Sequence, residues 1–68
     1  MPESYSKALK RAKRLHHPKR DVVKGKRGYY IVPFGLHTAK GRRTYAGLRS
    51  AGYSKASAAR IAHYVDEH

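Results

Sequence analysis

Hydrophobic and polar positions along this chain repeat with two different periods, and the change from one to the other marks out its elements. In residues 4–18, "SYSKALKRAKRLHHP", Tyr5, Ala8, Leu9, Ala12 and Leu15 recur at i, i+3, i+4, i+7 and i+10, the spacing of one helical stripe. Ser4 can cap the start and Pro18 forbids continuation, so a helix is expected over about residues 4–16. Lys7, Lys10, Arg11, Lys13 and Arg14 fall outside the stripe and form a basic ridge. His16 and His17 are expected to cap the helix C-terminus and to add pH-sensitive affinity for phosphate.

The period then shortens. In "DVVKGKRGYYIVPFG", two β-branched or aromatic runs, 21–24 and 29–32, flank Gly25-Lys26-Arg27-Gly28, whose glycines can supply the positive φ of a tight hairpin connection. Pro33 stops the second strand or marks it as an edge. Neighbouring strand residues point to opposite faces, so one of Tyr29 and Tyr30 is expected in the core and the other exposed, where it could stack on a base; the plainer reading is that both fill a small core.

Residues 34–43, "FGLHTAKGRR", carry no clear period and are expected to form a loop, with room for a short third strand at 36–38. "TYAGLRSAG" predicts a short helix from about Thr44 to Ala51, closed by Gly52. The last helix is expected to start at an N-cap Ser54, with Tyr53 stapled onto Ala58 and a buried stripe of Ala58, Ile61, Ala62 and Val65. Asp66 and Glu67 are badly placed for the helix dipole and are expected to mark a frayed end. The predicted architecture is a single small α+β domain over residues 1–68: an N-terminal helix, a β-hairpin, then two helices in a helix-turn-helix-like arrangement.

Composition limits what such a domain can bury. Leu, Ile, Val and Phe occupy 11 of 68 positions, so the core must be small and the fold marginal. There is no cysteine, which removes disulfides and thiolate metal sites. No apolar run is long enough for a membrane span, and a soluble, cytoplasmic, nucleoid-associated protein is expected.

Charge changes the picture most. Sixteen Lys and Arg against four Asp and Glu give +12, a field that attracts polyanions. Residues 1–49 hold 14 basic and 2 acidic side chains, whereas residues 50–68 hold 2 of each. Grip on a phosphate backbone is therefore assigned to Lys7, Lys10, Arg11, Arg14, Lys26, Arg27, Lys40, Arg42 and Arg43.

Residues 51–62, "AGYSKASAARIA", resemble the turn and second helix of LacI-type repressors, matching Ala51, Gly52, Tyr53, Ser54, Arg60 and Ile61 within residues 44–65. The resemblance implies a helix-turn-helix in which Tyr53 plugs the gap between helices and Lys55 and Arg60 read bases. It departs from the family at Gly47, in a helix that prefers a better former, and at Ala56, which cannot make a bidentate base contact. The plainer reading is a helical pair that completes the core.

Catalytic chemistry is thinly provided. The four acids, Glu3, Asp21, Asp66 and Glu67, form no motif, and the five histidines, His16, His17, His37, His63 and His68, lack the i, i+4 pairing of a helical zinc site. No enzyme activity, metal or cofactor is expected. The leading expectation is a small nucleic-acid-binding regulator of bacterial or phage type, with duplex DNA ahead of RNA and a homodimer as the form suited to paired half-sites. Two alternatives stand beside it. One is a small effector, of phage type, that docks on an acidic host protein, with Tyr45, Tyr53 and Tyr64 as apolar anchors; the other is an RNA- or ribosome-associated protein.

Overall fold

The computed structural model describes residues 4–67; Glu3 and His68, counted above among the acids and histidines, lie outside the described residues. Helix α1 (Tyr5–Arg14) is followed by a single 3-10 turn (Lys19–Asp21), strands β1 (Val22–Lys24) and β2 (Tyr29–Ile31), and helices α2 (Ala39–Ser50) and α3 (Lys55–Glu67). The strands pair antiparallel, Val22 opposite Ile31, Val23 opposite Tyr30 and Lys24 opposite Tyr29. This is the α+β order that the periodicities predict.

The hairpin lies between two helical layers, and the two faces of the pleat explain how. Val22, Tyr29 and Ile31 share one face and pack with Ala8 and Ala12 of α1, beside Tyr5 and Leu9. Val23 turns the other way, toward Val32, Leu36 and Tyr45 and the α3 alanines Ala58 and Ala62. Each small cluster needs the hairpin as its partner, which is how a two-stranded ribbon becomes stable. Alanine dominates: Ala8, Ala12, Ala46, Ala58 and Ala62 have no exposed surface, and Val32 is the largest side chain that is fully buried.

Helix α1 starts where expected, with Ser4 Oγ accepting from the Lys7 N–H at 3.4 Å. Its end is a backbone device. His16 takes a left-handed φ of 65°, and the His16 and His17 N–H groups return to the Lys13 and Ala12 carbonyls at 3.1 and 2.8 Å. A left-handed conformation costs a residue with a Cβ about 1–2 kcal/mol, so His16→Gly is expected to stabilise the fold by up to about 1 kcal/mol, read as a higher urea midpoint. Should the midpoint fall instead, the His16 side chain contributes something that its exposed position conceals.

The ring of His17 does not face solvent as a phosphate ligand. Its Nδ1–H donates to Asp21 Oδ2 at 2.8 Å, with both side chains under a tenth exposed, and Phe34 stacks on the ring at a centroid distance of 3.7 Å. Leu15, at the end of the expected stripe, is half exposed.

Helix α2 begins five residues before its expected start. Thr38 caps it, Oγ1 accepting from the Gly41 N–H at 3.0 Å, so 36–38 is not a strand and Lys40, Arg42 and Arg43 stand on the first turns of a helix. Gly41 permits a close approach there: a Cβ at this position would run into the Asp66 side chain of α3. Asp66, expected at a frayed end, instead accepts from the His37 N–H, the Thr38 N–H and the Thr38 hydroxyl, the last two at 2.7 Å. It thus supplies the anion that a helix N-terminus favours, from the far end of another helix.

At its other end α2 closes as the sequence indicates. Gly52 takes φ 102°, and the Gly52 and Tyr53 N–H groups return to the Arg49 and Leu48 carbonyls. Ser54 then caps α3, accepting from the Ser57 N–H at 3.2 Å. Two expectations fail in this pair. Tyr53 is 45% exposed and does not plug the gap between the helices, and Ile61 is 38% exposed, outside the face on which α3 buries Ala58 and Ala62.

Candidate functional site

The cationic surface assigned to phosphate grip is built by three short segments. Lys7, Lys10, Arg11 and Arg14 are exposed on α1, Lys26 and Arg27 at the hairpin tip, and Lys40 and Arg43 at the start of α2. Arg42 is half-buried and donates to the Leu36 carbonyl at 3.4 Å, so part of its guanidinium serves the loop before α2. Every lysine is exposed, and so is every arginine other than Arg42 and Arg49.

The hairpin tip is held firmly for a loop that carries two charges. Lys26 N–H donates to Ser50 Oγ at 3.0 Å, which ties the tip to the end of α2. Gly25 is required at this crossing for its lack of a side chain, not for a positive φ. A Cβ there would collide with Ser50 Oγ and the Tyr30 ring and lie 3.1 Å from the Ala46 carbonyl oxygen. The side chains of Lys26 and Arg27 thus extend from an anchored backbone.

A cleft of about 680 Å³ runs beside β2, with Arg11 and Leu15 on the α1 side and Tyr45, Arg49 and Lys55 on the other. Tyr29 and Tyr30 both line it, although they belong to opposite faces of the hairpin. Neither is core or free surface as the alternation suggests; both are half-buried, Tyr29 edge-on to Tyr5 at 5.1 Å and Tyr30 against the tip and α2.

Tyr45 is 5% exposed and belongs to the core, so it cannot anchor an outside partner. Burial raises its hydroxyl pKa above the ordinary value of 10.0, partly offset by the charge and hydrogen bond of Arg49. Arg49 also donates to the Tyr53 carbonyl at 2.6 Å, which fixes its guanidinium on the cleft wall. Sequence reasoning passed over Arg49; the signal was present as the i, i+4 pair Tyr45–Arg49, which shares one face of the helix expected over 44–51 as well as of α2.

Of the two residues assigned to base reading, Lys55 stands at the first turn of α3 and lines the cleft. Arg60 is exposed one turn further along α3 and does not line the cleft. Lys7, Lys10, Arg14, Lys26, Arg27, Lys40, Arg42 and Arg43 also lie outside it. Among the described residues no three His, Asp or Glu side chains gather as a metal site would require, and no helix is long and apolar enough to cross a membrane. No protein-family model, curated protein or solved structure matches the chain.

Proposed function

We propose that this protein binds nucleic acid, duplex DNA first, as a small regulator of bacterial or phage type. One observation carries the reading. The cations of α1, the tip and the start of α2 are presented to solvent, while two of the four carboxylates have partners within the fold, the buried Asp21 in His17 and the partly exposed Asp66 in the 37–38 backbone. The exposed surface is thus strongly cationic, and phosphate is the chemistry such a surface attracts.

The LacI-type resemblance enters on the same terms. The Gly52 turn and Ser54 cap present Lys55, Ala56, Ser57 and Arg60 to solvent, as a reading helix needs. Binding as a homodimer on paired half-sites belongs to the same proposal. Catalysis is not part of the proposal.

Titration with duplex DNA and structured RNA at several salt concentrations tests the reading. About six phosphate contacts would give a log-log salt slope of about −5. Replacing Lys26 and Arg27 together by alanine is expected to weaken binding to all sequences alike and to reduce the slope by about 2. Lys55→Ala is expected to relax sequence preference instead. Equal losses on every DNA for both variants would remove the reading role, and no binding to either polymer at modest salt would end the proposal. A second reading, docking on an acidic protein, is favoured by Tyr53, Ile61 and Tyr64, which are exposed in the weakly charged last segment.

A further inference from the structure

The cleft beside β2 is more than a gap between helices. It is lined by five consecutive residues, Tyr29 to Pro33, whose side chains alternate between the two faces of the hairpin. A cavity that touches both faces of one strand runs along that strand's edge. The hydrogen-bond phase identifies what the edge offers. Gly25 N–H pairs with the Gly28 carbonyl at 2.6 Å and Val32 N–H with the Asp21 carbonyl at 2.8 Å, so Gly28, Tyr30 and Val32 turn their backbone groups toward β1. The N–H and C=O groups of Tyr29 and Ile31 therefore point the other way, toward the cleft, and make no backbone pair with another described residue.

From this free edge and its basic wall, we infer that the cleft binds an extended acidic peptide segment, which adds to β2 as a third strand. Three features select that occupant. Donors and acceptors alternate along the edge, and a peptide backbone answers both; a phosphodiester would leave the Tyr29 and Ile31 carbonyls facing its negative charge. Arg49, Lys55 and the N-terminus of α3 supply positive charge on one wall, so acidic side chains that alternate onto that face of the added strand meet cations. A second copy of the chain, paired β2 to β2, would bring two +12 fields and both sets of cleft cations together. Pro33 has no N–H, so the edge offers two paired residues and recognises a short segment.

The inference does not rest on nucleic-acid binding, whose assigned charges lie outside the cleft apart from Arg11 and Lys55. The probe is a blocked hexapeptide alternating Glu and Val, compared with the same peptide N-methylated on its pairing amides, with the protein's amides followed by NMR hydrogen exchange. Binding of the parent peptide, slowed exchange at Tyr29 and Ile31, and weakening of at least about tenfold on N-methylation and on Lys55→Glu are expected. Binding indifferent to N-methylation would mean charge attraction without strand addition and would overturn the inference. So would a single-stranded oligonucleotide that protects these two amides when the peptide does not, or a peptide-free dimer that protects them.

Discussion

Gly25→Ala is expected to lower the melting midpoint by on the order of 5–20 °C. The added methyl meets three obstacles at once: Ser50 Oγ, the Tyr30 ring and the Ala46 carbonyl oxygen at 3.1 Å. Ser50 can rotate, but it then abandons the Lys26 N–H that it accepts at 3.0 Å. Tyr30 can shift only along the strand edge and into the cleft. The helix carbonyl cannot move without α2. Overpacking of this kind costs about 1–3 kcal/mol, and in a domain of this size each kcal/mol moves the midpoint by about 4–8 °C. Circular dichroism melts of the two proteins decide it. An unchanged midpoint would show that the hairpin tip lies farther from α2 than these contacts imply. The same variant should weaken nucleic-acid binding even well below its midpoint, because the tip that orients Lys26 and Arg27 has lost its tether.

The second large effect belongs to Asp66. Its carboxylate accepts the His37 N–H at 2.9 Å and the Thr38 N–H and hydroxyl at 2.7 Å. The His37 backbone bond, the Thr38 hydroxyl and the Thr38 backbone bond hold its pKa at about 2, below the ordinary 3.8, against a smaller opposing effect of burial. A depressed carboxylate contributes stability that is complete above its unfolded pKa and is lost as the pH falls through the folded one. For Asp66 the loss runs from about pH 4 down to about pH 2. Asp66→Asn must turn an NH₂ or a single carbonyl toward three donors. It is expected to be markedly less stable than the parent at pH 7, with the gap closing as both proteins are taken from pH 4 to pH 2. Urea midpoints measured across that range read the difference and separate this group from the chain's other acids. A gap that stays constant with pH would show that the carboxylate's charge is not what holds α2 to α3.

These two sites also show where the sequence was legible and where it was not. The starts of α1 and α3 follow from Ser4 and Ser54, local signals that act within a few residues of themselves. The hairpin register follows from the runs on either side of Gly25 and Gly28. What escaped reading depends on partners far along the chain. Gly41 looks like a helix breaker until Asp66, 25 residues away, is seen to occupy the space beside it. Asp66 looks misplaced on its own helix because it serves the start of another. Ile61 lies outside the face on which α3 buries its two alanines, a choice of face that an amphipathic pattern does not encode.

For the candidate site the division is similar. Exposure of the lysines was legible, since a charged side chain in so small a fold has nowhere else to go. The cleft was not, because it depends on how α1 and α3 sit on either side of a strand whose edge is left open. Arg49 becomes a wall residue only once α2 and β2 are seen to line the same cleft.

The interior methyl groups constrain how this molecule could diverge. Five alanines and one valine fill its deepest positions, so almost any mutation there adds bulk, and the helices have no slack to receive it. Sequence drift is thereby steered outward, to the skin that carries the cations. A lineage of such chains would keep its skeleton while rewriting the surface that chooses what it touches.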